Sequence, residues 1–93
     1  MPEFHDRSDF EVTLHPFLDK TDIPKDTNGN TDFSYMSLDC FHLSQLGHAR
    51  AANAYFNSMM TPEKQRMRFW TKEFEEFRCP TPQRPFISTS KNS

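Results

Sequence analysis

The sequence predicts a small chain of mixed α/β structure, with one strand, a long loop and one or two helices. Three observations predict this arrangement. Apolar and polar residues alternate over residues 9–14, apolar residues recur at helical spacing after Ser44, and the stretch between them has no regular pattern. With 93 residues, the chain is long enough for one small domain and no more.

The predicted strand lies near the start of the chain. Phe10, Val12 and Leu14 alternate with polar neighbours, which is typical of a strand with one buried face. Pro16 follows soon after and stops the strand, because proline has no backbone N–H to donate to a sheet. The polar residues 1–8 before the strand are predicted to be a lead-in.

The clearest predicted helix begins after Ser44, whose hydroxyl can accept a hydrogen bond from a first-turn amide. Its predicted apolar side consists of Leu46, Ala49, Ala52, Asn53, Phe56, Met59 and Met60. Gly47 costs about 1 kcal/mol relative to alanine inside a helix, and its presence suggests the close approach of another backbone. Thr61-Pro62 ends the helix and is predicted to begin a second one over residues 64–77.

Two stretches are predicted to be irregular. Residues 15–38 read as a long loop with a turn at Asn28-Gly29. Connections longer than about 12–15 residues are usually functional or disordered. The tail, residues 79–93, contains three prolines that forbid regular structure.

The composition excludes some classes of function. Eleven basic and 13 acidic residues give a net charge of −2 with no basic stripe, so a nucleic-acid backbone is not an expected partner. No apolar run reaches the roughly 18 residues that a membrane-spanning helix needs, and the first residues lack a signal-peptide pattern. Only 34% of residues are hydrophobic, which indicates a segment that completes its core against sequence outside these residues.

The residues with the clearest chemistry are Asp39 and His42, in the string Asp-Cys-Phe-His. A histidine that acts as a general base must be held in one tautomer, and a carboxylate bonded to Nδ1 does this and stabilises the imidazolium. A lone pair at this spacing also arises by chance. His48 is expected to be a surface or packing residue, and His5 and His15 to be surface residues.

The cysteines and histidines do not have the spacing of a zinc site. Cys40 and Cys79 lie 39 residues apart, and His42 and His48 lie six apart, so no metal ligand and no cofactor are predicted. Cys40 could in principle act as a nucleophile beside His42. A structural thiol or half of a disulfide is the preferred interpretation.

A longer string carries a family resemblance. Asp39-Cys40-Phe41-His42-Leu43-Ser44 is followed by Gly47-His48-Ala49. Further matching features are Asp9-Phe10, His15-Pro16-Phe17, Asp32-Phe33, the small-residue helix to Met59, Cys79-Pro80, Phe86 and Ser90-Lys91-Asn92-Ser93. With these features, about nine-tenths of the chain resembles the C-terminal part of the phospholipase B family, within the SGNH (GDSL) hydrolases.

The resemblance implies an α/β/α sandwich with a parallel, flavodoxin-like sheet. Residues 9–78 would supply its last strand, catalytic loop and C-terminal helices. Asp39 and His42 would fall on the family's triad aspartate and histidine, whereas the nucleophilic serine of a Gly-Asp-Ser-type motif has no counterpart here. Five such strands with their crossovers need roughly 150 residues, so we expect the isolated chain to be inactive and marginally folded.

The resemblance also implies a reaction, partners and a location. The reaction is hydrolysis of carboxylesters in phospholipids and lysophospholipids without a cofactor, and the missing N-terminal part of the same domain is the expected partner. The expected location is extracellular or associated with the plasma membrane. An oxidising compartment would allow a Cys40–Cys79 disulfide, closing a loop of about 40 residues and contributing about 3–4 kcal/mol.

Two alternatives remain open from the sequence. The first is a non-catalytic module that binds a partner through Met59, Met60 and the phenylalanine-rich stretches. The second is a free-standing metalloenzyme.

Overall fold

The structure is a computed structural model, and it describes residues 7–92. Its main element is one α-helix, α1, at Gln45–Met59. Two short 3₁₀ turns lie at Phe33–Tyr35 and Glu63–Gln65, and no strand is present over the described residues. Residues 1–6 of the predicted lead-in, which include His5, lie outside the described residues. Ser93 also lies outside them.

The predicted α/β fold is wrong for the described chain. Residues 10–14 are irregular, and no sheet of the flavodoxin-like, α/β/α kind is formed. The alternation of apolar residues sets only which side of a strand would be buried, whereas a strand also needs a neighbour to pair with. Here Leu14 offers its carbonyl to the guanidinium of Arg66 at 3.4 Å, and the Glu11 carboxylate accepts the backbone N–H of Ser90 at 2.9 Å.

The predicted second helix over residues 64–77 is also wrong. The only helical turn in this stretch is the 3₁₀ turn Glu63–Gln65, and the chain then becomes extended at Arg66. Thr61 does not cap this turn, because its hydroxyl donates to the carbonyl of Asn57. Further along, Phe74 has a φ of 62°, which a helix does not accommodate.

Other predicted local features are confirmed. Ser44 caps α1, its Oγ accepting the N–H of Gly47 at 3.1 Å, and the helix ends at Met59, just before Thr61-Pro62. Gly29 lies in the predicted turn with a φ of 82°. In that turn the Asp26 carboxylate accepts the backbone N–H groups that follow it.

The buried side of α1 differs from the predicted apolar side. Ala52 is exposed, and the buried positions are Gly47, Asn53, Ala54, Asn57 and Ser58. Three of these five are polar, because the neighbour of the helix is irregular backbone rather than an apolar sheet. The helical spacing of apolar residues therefore predicts the helix, but it does not predict which side of the helix is buried.

Two asparagines join α1 to the irregular segment, residues 73–78, that replaces the end of the predicted second helix. Asn53 donates from Nδ2 to the carbonyl of Glu76 at 2.8 Å and accepts the N–H of Phe74 at 2.6 Å. One helical turn later, Asn57 donates to the same carbonyl at 2.9 Å and accepts the N–H of Arg78 at 2.8 Å. The two carboxamides thus satisfy the backbone of this segment as a neighbouring strand would.

A buried arginine ties the segments at Leu14 and Ser88 to the end of α1. The guanidinium of Arg66 donates to the carbonyls of Ser58 and Ser88, both at 2.9 Å. Burial lowers the pKa of Arg66, and nearby carboxylates partly oppose this effect. The same guanidinium also donates to the carbonyl of Leu14 at 3.4 Å. Arg66 thus binds three backbone segments that are far apart along the chain.

The described chain buries little apolar surface. Over residues 7–92, the buried hydrophobic residues are Tyr35 and Ala54. The radius of gyration is 15.6 Å, whereas a compact domain of this length has a value of about 12 Å. No helix in the described part of the chain is both long and apolar enough to cross a membrane.

Candidate active site

The candidate site lies on a tight loop that leads into α1. Met36 and Leu43 pair as an isolated antiparallel bridge at its base. Inside the bridge, the N–H of Ser37 donates to the carbonyl of His42 at 2.9 Å, and the N–H of Cys40 donates to the carbonyl of Ser37 at 3.0 Å. Within the loop, Cys40 takes a φ of 55°, in the left-handed region that few residues other than glycine adopt.

Asp39 and His42 are brought together by this loop. Nδ1 of His42 lies 2.8 Å from Oδ2 of Asp39, which is hydrogen-bonding distance. The second carboxylate oxygen, Oδ1, accepts the backbone N–H groups of Phe41 and His42 at 2.9 and 3.0 Å, and the hydroxyl of Ser37 at 2.7 Å. The two oxygens of Asp39 therefore have separate roles, since Oδ1 orders the loop and Oδ2 binds the imidazole.

These contacts determine the charge of the pair. The hydrogen bond from His42, followed by those from Ser37 and the two amides, holds the pKa of Asp39 well below its ordinary value. Asp39 is thus ionised at neutral pH and can only accept, so the proton of the neutral imidazole lies on Nδ1. The lone pair of Nε2 is then left to accept a proton.

The pair faces solvent in this chain. The side chains of His42 and Asp39 are 72% and 52% exposed. The ring of Phe41 meets the imidazole edge-on, with the centroids 4.8 Å apart and the planes at 90°. The arrangement can hold one tautomer of His42 and stabilise its imidazolium, which is what a general base needs.

No nucleophile is placed at Nε2 by the described residues. Ser44 donates its hydroxyl to the carbonyl of Ser34 at 2.5 Å and accepts from Gly47, so it is committed to capping. The hydroxyl of Ser37 donates to Oδ1 of Asp39. Within residues 7–92, the imidazole of His42 hydrogen-bonds to Asp39 and to no serine or threonine hydroxyl.

The remaining predicted candidates are dispersed. Cys40 and Cys79 are exposed free thiols in the structure, so their disulfide stays a prediction that a thiol count on non-reduced, exported protein can test. Residues 7–92 contain no group of three histidine, cysteine or carboxylate side chains able to hold a metal. His48 is exposed as expected, but His15 is half-buried, with Nδ1 2.8 Å from Oγ of Ser58.

Sequence reasoning missed Ser37. It contacts Asp39 through its side chain and His42 through its backbone. The available signal was its position two residues before an aspartate, since serine and aspartate often hydrogen-bond locally in turns.

Comparison with known proteins identifies the family. No family model and no solved structure matches the chain. The chain is 40% identical to membrane-associated phospholipase B1 of Rattus norvegicus over 89 residues, or 94% of the chain. It is 37% identical to the protein of the same name from Homo sapiens over 93 residues, or 98% of the chain.

The chain belongs to the phospholipase B family. The family resemblance seen in the sequence is thereby confirmed. The match covers only 6% of the length of these relatives, so the chain corresponds to one short segment of them. The assignment to the SGNH superfamily stays a prediction.

Proposed function

We propose that this chain supplies the histidine–aspartate half of a serine hydrolase centre that cleaves acyl esters of phospholipids or lysophospholipids. The observation that carries the proposal is the 2.8 Å contact between His42 Nδ1 and Asp39 Oδ2, which leaves Nε2 to accept a proton. The segment's likeness to proteins named phospholipase B1 supports the choice of substrate. The nucleophilic serine would come from the part of the same domain that precedes these residues.

In the proposed reaction, Nε2 of His42 takes the proton of the serine hydroxyl as the serine oxygen attacks the ester carbonyl. The tetrahedral intermediate collapses when the imidazolium returns this proton to the departing alcohol oxygen, and the acyl group stays on the serine. Water then attacks the acyl-enzyme while His42 takes one of its protons, and the imidazolium returns that proton to the serine oxygen as the acyl–serine bond breaks and the fatty acid leaves. Asp39 stays ionised and stabilises the imidazolium in both steps.

The exposed surface around the pair supports a covering partner. Leu38 is fully exposed and Phe41 is 77% exposed, and both lie on the loop that carries Asp39 and His42. Apolar side chains at a loop tip gain about 25 cal/mol per Å² when they are removed from water. Covering them with the serine-bearing part of the domain would also exclude water from His42 and strengthen its contact with Asp39.

We further propose an extracellular or plasma-membrane-associated location. The relatives are named membrane-associated, which supports membrane association of the protein that carries this segment.

Complementation tests the proposal. The chain alone should not hydrolyse a short-chain nitrophenyl ester, and activity should appear when the serine-bearing part of the domain is co-expressed with it. His42→Ala should abolish that activity, whereas His48→Ala, an exposed histidine on α1, should not. Full activity in His42→Ala would contradict the role assigned to this residue.

A non-catalytic module that binds a partner protein is the second candidate. It is favoured by an exposed aromatic pair, Phe74 and Phe77, whose rings stack with centroids 6.1 Å apart. Complementation separates the two functions, since a binding module would stay inactive with the serine-bearing part and would bind a partner that has no hydrolase sequence.

A further inference from the structure

We propose that Ser37 is a positioning residue, whose hydroxyl holds the Asp39 carboxylate in the orientation that offers Oδ2 to His42. This inference rests on the proposed function of the Asp39–His42 pair. It adds a third side chain to that pair, one that acts through Asp39 and does not touch the substrate.

The contacts of Ser37 converge on the two residues. Its Oγ lies 2.7 Å from Oδ1 of Asp39 and 3.1 Å from the carbonyl of His42, while its backbone N–H donates to that same carbonyl at 2.9 Å. A hydroxyl has one proton to donate, and the ionised carboxylate is both the nearer and the stronger acceptor. The side chain of Ser37 is therefore directed at Asp39, and its backbone at His42.

The geometry of the carboxylate explains why a third donor is needed. Asp39 is half exposed, so water competes for both of its oxygens. Oδ1 accepts three hydrogen bonds, from the amides of Phe41 and His42 and from the hydroxyl of Ser37, and the bond from Ser37 is the shortest of the three at 2.7 Å. Rotation of the carboxylate away from the imidazole would therefore cost a charge-assisted hydrogen bond from Ser37.

The tautomer of His42 gives a direct test on the full chain. A neutral histidine free in water favours the proton on Nε2, whereas an ionised Asp39 bound at Nδ1 favours the proton on Nδ1. The ¹⁵N shifts of labelled histidine, measured at a pH where the ring is neutral, report the ratio of the two forms. We expect mainly Nδ1–H in the unaltered chain, and a shift towards Nε2–H in Ser37→Ala.

A matched pair of variants separates the hydroxyl from the shape of the side chain. Ser37→Thr and Ser37→Val have nearly the same volume, and only threonine keeps the donor. We expect threonine to retain the Nδ1–H form and valine to lose it. This pair also tests whether the hydroxyl positions Asp39 if Ser37→Ala does not fold. Equal tautomer ratios in the two variants would overturn the proposal.

A double variant tests whether Ser37 acts through Asp39. In Asp39→Ala the Nε2–H form should dominate, and adding Ser37→Ala should change the ratio no further, because the hydroxyl has lost the group that it positions. A further change of the same size in the double variant would show a structural role unrelated to Asp39, and would also overturn the proposal.

Activity in the complemented enzyme gives a second readout. We expect Ser37→Ala to lower kcat about 3- to 10-fold, the effect of one hydrogen bond, with KM unchanged and with rescue by Ser37→Thr. If His42→Ala kept full activity, the proposed function would fail while the tautomer data still decided the role of Ser37. If His42→Ala were inactive and Ser37→Ala had unaltered kcat and tautomer ratio, this inference alone would fail.

Discussion

The backbone carbonyl of Tyr35 lies against Gly47, in the space that a side chain at residue 47 would occupy. The same carbonyl accepts the N–H of Ser44 at 3.0 Å. The start of α1 is thus fixed to the base of the loop that carries Asp39 and His42. The glycine that weakens the helix locally is what lets the helix come this close to the loop.

Gly47→Ala should therefore destabilise the chain, although alanine is the better helix former. The added methyl would meet the Tyr35 carbonyl and the Leu43 side chain, and overpacking of this kind costs about 1–3 kcal/mol. Hydrogen exchange of the α1 amides measures the loss of protection. As a control, Ala52→Gly at an exposed position of α1 reports helix propensity alone, about 1 kcal/mol; greater protection in Gly47→Ala would contradict the close contact.

Asn57→Ala should release the irregular segment at residues 73–78 from α1. The variant leaves the N–H of Arg78 without its partner and removes one of the two donors to the Glu76 carbonyl, at a cost of about 1–3 kcal/mol. Exchange of the Arg78 amide should become faster. His48→Ala, at an exposed position of the same helix, is the matched control and should leave this amide protected.

Asp39→Asn should inactivate the complemented enzyme while the loop keeps its shape. The asparagine oxygen can still accept the loop amides, but its NH₂ group would face Nδ1 and place the imidazole proton on Nε2. We expect a loss of about 10²- to 10⁴-fold in kcat for nitrophenyl ester hydrolysis. Asp26→Asn, in the same kind of amide-accepting turn but on another loop, should keep normal activity; an equal loss there would point to a general folding effect.

Stability should depend on pH through His15. Burial, with a smaller contribution from Arg66, lowers the pKa of His15 below its ordinary value of 6.5. Because the unfolded state then binds a proton more readily, the contribution of His15 is fully present above pH 6.5 and is lost as the pH falls towards the lowered pKa.

Urea unfolding at a series of pH values measures this dependence. The free energy of unfolding should fall below about pH 6.5 by no more than about 1.4 kcal/mol per pH unit, the limit for one proton. His15→Gln should flatten the curve in this window, because it removes the group whose pKa differs between the folded and unfolded states. An unaltered curve in His15→Gln would assign the dependence to another group.

The isolated chain should unfold broadly on heating. Over residues 7–92 its buried hydrophobic residues are Tyr35 and Ala54, while side chains such as Leu38, Phe41 and Phe86 are largely exposed. Little apolar surface is then lost from water on folding, and that loss is the main source of cooperative stability. Calorimetry of the purified chain measures this, and a sharp, cooperative transition would contradict the expectation of a marginal fold.

Features that depend on neighbours along the chain were predictable from the sequence. The Ser44 cap, the end of α1 before Pro62 and the turn at Gly29 each depend on a few adjacent residues, and the structure has all three. The contact between Asp39 and His42 belongs to the same class, because three residues of loop are enough to bring the two side chains together.

The amino-acid sequence was therefore enough to give the helix, its boundaries, the family and the two residues of the candidate site. The hydrogen-bond partners of the remaining segments were decided by tertiary contacts. Residues 10–14 have no neighbouring strand, and residues 73–78 bind the carboxamides of Asn53 and Asn57 instead of forming a helix. Local patterns limit the conformations that a segment can adopt, but the groups that satisfy its backbone come from residues far away along the chain, and no local pattern names them.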